Sequence, residues 1–377
     1  MSREKLAWIL DSTASPVCVL LPFIGWGVYS MGLIQKEFDA LNITHVTDWS
    51  AFISAIPYQF YPILCLILIP MVAVSGREFS YMAKAEENAK KGIFSSLDPD
   101  APTRTMITNT TVSPLVVIIP LVVLFVTLFG LLIPQGFPTK QVPGSVFRVA
   151  LITGYFYAAV TMIALMVFYK VKPLMESIRL YIKGLGRMYE CIVILVLAWS
   201  LSAVGKNIGT PDYIVMLAKE NVPGWAVPAI IFCIGSLISF ATGTSWGTFG
   251  IMMPIAIPMA IHLDAPLYVS IAAVLSGGLF GDHCSPISDT TILAASGSDC
   301  SLIDHVKTQF PYALMCAVVS IVGYLVAGNV ESPMVTVGCA VLLGVVFVVS
   351  SKMWGTKVEN LTTEQVQALV DAEDKQD

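Results

Sequence analysis

The chain has 377 residues, 56% hydrophobic and 12% charged, with a net charge of -5 and a mean hydropathy of +0.76. A soluble domain carries about 25% charged residues, so this composition excludes one and points to an all-α polytopic membrane protein. The charge is dispersed, without the basic stripe that nucleic acid requires.

A hydrocarbon core of about 30 Å takes roughly 20 apolar residues per helix. On that basis spans are predicted over 14–34, 52–75, 113–133, 146–168, 188–204, 223–241, 248–262, 266–281 (continuing past a polar break to 296), 308–327 and 333–350. The stretch 248–262 is short, and half of a re-entrant hairpin is its alternative reading. One membrane domain, 1–350, is therefore expected, with a tail over 351–377 that holds only a short helix capped at Thr362 and Gln365. The first residues lack the pattern of a cleavable signal peptide. The eight cysteines lie mostly in apolar runs and read as small hydrophobes, not as a disulfide framework.

Orientation follows from the basic residues. Five lie in 76–112 (Arg77, Lys84, Lys90, Lys91, Arg104) and five in 169–187 (Lys170, Lys172, Arg179, Lys183, Arg187). The alternate loops hold Lys36, Lys140, Lys206 and Lys219. Both termini and the two long loops are thus expected in the cytoplasm, with the chain crossing the cell inner membrane. The stretch 81–91 has good helix formers with acid-to-base spacing and is expected to be a solvated surface helix. The basic, amphipathic 169–187 is expected along the interface, and Glu190 beside Arg187 to reach for headgroups.

Three polar constellations interrupt the apolar runs. Gly281-Asp-His-Cys-Ser-Pro-Ile-Ser-Asp-Thr-Thr291 carries two carboxylates at membrane depth, where each costs at least about 2.5–3.5 kcal/mol. Pro286 removes a backbone donor, so the chain between Phe280 and Thr290 is predicted not to be continuous helix. Unwound backbone at that depth must line a protein cavity, as it does around the ions of secondary transporters. Asp282 and Asp289 are candidate cation ligands, with Ser285, Ser288 and Thr290 supplying neutral oxygens. Asp289, at the start of the resumed helix, suits a structural cap as well. Asp282, without such donors, is the better proton and Na+ exchanger.

The run Thr242-Gly-Thr-Ser-Trp-Gly-Thr248 is rich in hydroxyls, with two glycines flanking Thr244, Ser245 and Trp246. Close helix packing would select the same small residues. An ion path through Thr242, Thr244, Ser245 and Trp246 requires this break to lie beside the other. The third constellation, Asp11-Ser-Thr-Ala-Ser-Pro16, lies at the mouth of the first span and adds Asp11 and Ser15 as ion-site candidates. Its Asp…Ser-Pro echoes Asp282…Ser285-Pro286 with one residue more between, a faint sign of repeated halves. His283, Cys284, Cys300 and His305 match no common zinc spacing.

These residues resemble the NhaC-type sodium/proton antiporter family. The similarity covers Ser2-Arg-Glu-Lys-Leu-Ala and Asp11–Cys18, Ala241–Gly250, Gly281–Thr291 and His305–Tyr312. It implies an inner-membrane secondary transporter with inverted repeats and broken helices meeting near the bilayer midplane. It also implies that helices preceding the Ser-Arg-x-Lys-Leu-Ala segment are missing here.

Na+/H+ exchange through carboxylates at helix breaks is the function expected, with no resident cofactor. Lipid, Na+ and H+ are the partners, and a homo-oligomer is left open. The alternatives are sodium-coupled carriage of an amino acid or small carboxylate, with Trp246 and His283 facing the cargo, and an inactive truncated membrane protein. No Walker loop or nucleophile–base pair is present to suggest an enzyme.

Overall fold

Backbone in a bilayer must satisfy its own hydrogen bonds, and the described residues do so mostly as helix. The computed structural model describes residues 1–91, 93–95, 113–137, 144–183 and 222–357, with single residues between these stretches. The elements are α1 (Arg3–Leu20), α2 (Gly25–Ala40), α3 (Asp48–Ala55), α4 (Phe60–Ser75), β1 (Arg77–Phe79), α5 (Ser80–Lys90), α6 (Leu115–Leu132) and α7 (Gly144–Phe168). There follow α8 (Val227–Thr242), α9 (Ser245–His262), α10 (Leu267–Cys284), α11 (Asp289–Gly297), α12 (Leu302–Ala327), α13 (Met334–Met353) and β2 (Gly355–Lys357). Among the described residues six helices are long and apolar enough to cross a membrane, or up to eight with two bent pairs counted as spans. The molecule is an all-α polytopic membrane protein. The expected span over 188–204 and the tail helix near Thr362 lie outside the described residues.

Two of the predicted spans are bent. The first predicted span is α1 and α2, set at 41° around Leu21–Ile24, where Pro22 interrupts. Pro16 sits inside α1 without ending it, so Asp11–Pro16 is helix and not a mouth or a break. The second is α3 and α4, bent by 44° after a 3₁₀ turn at Ile56–Tyr58 that contains Pro57.

Chain contacts sort the ends of the elements onto two faces. On one, Arg3 Nη1 meets Asp299 Oδ2 at 3.1 Å and donates to Ser95 O at 2.8 Å, while Ser2 N donates to Glu86 Oε1 at 2.6 Å. The β1–β2 ribbon, with Arg77 opposite Lys357, brings the end of α13 there too. Helix α5 is docked on this face through Met82, Ala85, Glu86 and Ala89, and is not the solvated helix expected. Residues 174–183 are also helical, and most of their side chains are exposed.

On the opposite face, the start of α8 meets the end of α9: a Cβ on Gly224 would lie 2.3 Å from Leu263 O. Helices α8 and α9 therefore form an antiparallel hairpin with its apex at Gly243–Thr244. Helix α10 runs parallel to α8 at close approach, because Gly277 faces Phe232 and Gly281 faces Ser236. A Cβ on Gly281 would stand 2.2 Å from Ser236 O and 2.6 Å from Phe240 N, both backbone atoms that cannot yield. Gly281→Ala is expected to cost about 1–3 kcal/mol, read as a lowered unfolding temperature in detergent.

The main core joins α1–α4, α8–α10, α12 and α13. Helices α6 and α7 build a separate small core of Leu128, Leu132, Val142, Ala150 and Leu151, against which Phe23, Val28 and Trp49 pack.

The ribbon is anchored by Glu78, fully buried, with Lys5 Nζ at 2.6 Å from Oε1 and the Tyr312 hydroxyl donating to Oε2. Burial pushes the Glu78 carboxyl above the ordinary glutamate range, against the pull of both partners. A raised folded value means that the contribution to stability is complete below about pH 4.3 and is lost as pH rises through the raised value. Glu78→Gln is accordingly expected to flatten the fall in unfolding temperature between about pH 4.3 and neutrality, measured by thermal scans at a series of pH values.

Candidate functional site

Helix α10 stops at Cys284 for a local reason. Pro286 has no amide hydrogen, and the residue before it is driven out of helical geometry, so Ser285 sits at φ -81°, ψ 127°. The chain turns at Ser285–Ser288 and resumes as α11, so the helix is interrupted between Phe280 and Thr290 as predicted. Ser288 is the N-cap, its hydroxyl accepting from Thr291 N at 3.4 Å. That corrects the expectation for Asp289, which is the first helical residue, is exposed, and accepts from Thr290 N at 3.1 Å.

The other break is narrower than its sequence implies. Only Gly243 and Thr244 leave the helix; Gly243 closes α8 at φ 67° and Thr244 caps α9, accepting from Gly247 N at 3.5 Å. The two breaks touch. Ser285 Oγ donates to Phe240 O at 2.9 Å, and a Cβ on Gly243 would fall 2.8 Å from Ile287 O. Ser239 and Ser245 donate across to Gly278 O at 2.5 and 3.3 Å.

Around these breaks the carboxylates separate. Asp282 is 1% exposed; its Oδ2 accepts from Thr290 Oγ1 at 3.2 Å, and Thr290 in turn lies 3.0 Å from Ser288 Oγ. Ser245 also lies beside this carboxylate. Asp282 Oδ1 has no hydrogen-bond partner among the described residues.

Asp11 is equally buried, on the middle of α1, and is not in water at the span's mouth. Its Oδ2 accepts from Gln309 Nε2 at 2.9 Å and from Thr291 Oγ1 at 3.4 Å, with His305 Nε2 at 3.4 Å and His283 Nε2 at 3.6 Å. His283 Nδ1 lies 2.9 Å from the Tyr61 hydroxyl, and Gln309 Nε2 also donates to His283 O at 2.5 Å. The Thr291 hydroxyl is also 3.4 Å from the main-chain carbonyl of Asp282, at the end of α10. An anion at this depth is tolerable only with such donors around it.

The structure thus brings Asp282, Ser288, Thr290, Ser245 and Ser285 to one locus and Asp11 and His283 to the next. Ser15 is buried one turn after Asp11 on the same helix. Thr242 is exposed and donates to Ile238 O within its own helix, and Thr244 serves as a cap. Trp246 turns away to pack on α2, its ring 5.8 Å from Trp26 and 5.0 Å from Tyr29. Tyr61, His305 and Gln309 were not picked out as site residues from sequence. A signal existed for two of them: His305 and Gln309 are four apart in one helix, one turn on a single face.

The comparisons with known proteins point the same way. The chain is 35% identical over 340 residues to an uncharacterized protein of Haemophilus influenzae, a match covering 87% of this chain and 64% of that one. It is 34% identical over 151 residues to the arginine/ornithine antiporter ArcD of Halobacterium salinarum, 39% of this chain and 30% of that one. It is 30% identical over 189 residues to the malate-2H(+)/Na(+)-lactate antiporter of Bacillus subtilis, 48% of this chain and 39% of that one. The chain spans less than two thirds of the length of these curated relatives. No solved structure matches it. The pattern of the Na+/H+ antiporter family, however, matches residues 17–329. With most of its length fitting that pattern, the protein belongs to the Na+/H+ antiporter family, whose members are membrane transporters and not enzymes.

Proposed function

We propose that this chain exchanges Na+ for H+ across the cell inner membrane, with Asp282 as the carboxylate that both ions neutralise. The observation that carries the reading is the state of Asp282: fully buried, one oxygen unpaired, and hydroxyls rather than cationic side chains bonded to it among the described residues. Burial disfavours an isolated carboxylate, whereas a bound cation favours it, so a proton and Na+ become alternative occupants. Ser288, Thr290 and Ser245 offer hard oxygen ligands at the break. The carbonyl end of α10 adds its negative dipole to the attraction for a cation.

The face that carries Arg3, Lys5, Arg77, Lys84, Lys90, Lys91, Lys352 and Lys357 is proposed as cytoplasmic, consistent with the excess of positive charge there. No resident cofactor enters this scheme; Na+ and H+ are its cargo. Acid-loaded proteoliposomes carrying a pH dye provide the test. Added Na+ is expected to make the interior more alkaline, and a response no larger than that to choline would overturn the reading.

A second reading, Na+-coupled movement of a small organic ion, is favoured by the activities that two of these relatives are named for. Counter-flow of arginine, ornithine, malate or lactate in the same vesicles, with none produced by Na+ alone, would select it.

A further inference from the structure

Resting on the exchange reading, we propose that Gln59, with Ser270 and Ser276, holds water on the route by which ions reach Asp282 from the face opposite Arg3. The observation behind it is a second concentration of unmade hydrogen bonds. One group of such atoms lies in the layer of Asp11, Asp282, His283, His305 and Gln309, and one more is on Glu78 beside Lys5. Elsewhere among the described residues, the buried side-chain atoms without a partner are Gln59 Oε1 and Nε2, Ser270 Oγ and Ser276 Oγ. All three of these residues are 0% exposed. A carboxamide kept only for packing would leave its donor and its acceptor unmet, a penalty that an apolar side chain of similar size avoids.

The serines depart from habit in the same place. A buried helical serine commonly returns its hydroxyl to the carbonyl four residues back, as Ser236, Ser298 and Ser320 do. For Ser276 that carbonyl is Ala272 O, which instead accepts from the Tyr324 hydroxyl at 3.1 Å. The same hydroxyl lies 3.0 Å from Tyr58 O, so the α3–α4 junction that carries Gln59 meets α10 between Ser270 and Ser276. The depth of this junction follows from its other neighbours. Pro57 O accepts from Thr336 at the start of α13, and Tyr324 stands one turn before Gly328, which abuts Trp225 on the face opposite Arg3. In the inward direction, Tyr61 carries its hydroxyl to 2.9 Å from His283 Nδ1. Gln59 therefore stands between that outer face and the aspartate layer. Its polar neighbours across the junction are hydroxyls and carbonyls, which suit neutral water, with its two to four hydrogen-bond partners, better than a resident ion.

Membrane vesicles of both orientations, from cells producing the full chain, provide the test. Ser276→Cys is treated with a small membrane-impermeant thiol reagent, and modification at position 276 is read by peptide mass spectrometry, apart from the native cysteines. Reaction is expected in vesicles that expose the face opposite Arg3, and adding Gln59→Met, which keeps the length but binds no water, is expected to slow it roughly 10-fold. Gln59→Met alone is expected to exchange roughly 10-fold more slowly at saturating Na+, with the half-maximal Na+ concentration unchanged because Asp282 and its hydroxyls are untouched. Gln59→Asn, which restores a carboxamide, is expected to recover part of that loss. No modification at position 276, modification only from the Arg3 face, or a wild-type exchange rate in Gln59→Met overturns the proposal. Absence of Na+-driven proton movement in the wild type overturns the exchange reading instead, while the labelling still decides whether the route exists.

Discussion

Asp282→Asn is expected to reduce Na+-driven proton movement roughly 100-fold or more, because it removes the carboxylate that holds the cation where ions cost several kcal/mol. Asparagine keeps the size of the side chain and an oxygen for Thr290, so the helix break at Ser285–Ser288 should survive. It can neither ionise nor take up the exchanged proton, so both halves of the coupling vanish together. Asp289→Asn is the matched control. Asp289 is exposed and its visible hydrogen bond is to the Thr290 amide, which asparagine can also make. That variant is expected to retain exchange within a few-fold of the wild type. The comparison is made in acid-loaded proteoliposomes at matched protein content, with folding checked by size exclusion and helical circular dichroism. Full activity in Asp282→Asn would remove Asp282 from the mechanism.

Gly243→Ala is expected to raise the Na+ concentration for half-maximal exchange about 10-fold and to lower the unfolding temperature by several degrees. Two costs combine here. Gly243 holds φ at 67°, where an L-residue is penalised by about 1–2 kcal/mol. The new Cβ would also lie 2.7 Å from Ile287 Cγ1 and 2.8 Å from Ile287 O, so the turn carrying Ser288 and Thr290 must move. Gly338→Ala in α13 is the control, since a Cβ there meets nothing within 4 Å. If Gly243→Ala and Gly338→Ala behave alike, the two breaks do not depend on each other.

Much of this arrangement is legible from local chemistry. Pro286 and the polar residues around it announce a break, and the chain does unwind there, because a missing amide hydrogen cannot be supplied from elsewhere. Gly243 and Thr244 similarly announce the apex of the hairpin. The partners of Asp11 are another matter. They come from α10, α11 and α12, 272 to 298 residues away in sequence, and only packing brings them to one carboxylate. The bends after α1 and α3 were missed because Pro22 and Pro57 lie in strongly apolar surroundings, where a proline can equally remain inside a helix, as Pro16 does. Trp246 looked like a cargo contact because it sits between glycines. Its neighbours on α2, more than 200 residues earlier, make it part of the packing instead.

The separate core of α6 and α7 bears on how the molecule can move. This pair meets the body that carries both aspartates at aromatic edges, Phe23 against Phe129 at 5.7 Å and Trp49 against Phe137 at 5.8 Å. Edge-to-face pairs add only about 0.5–1.5 kcal/mol each beyond their buried area, so such a seam is light beside the main core. The β1–β2 ribbon works in the opposite sense, strapping the end of α4 to the end of α13. Displacement is therefore easiest along the greasy seam: α6 and α7 can stay fixed in the lipid while the aspartate-bearing bundle, tied to α13 by its strap, shifts past them as one body.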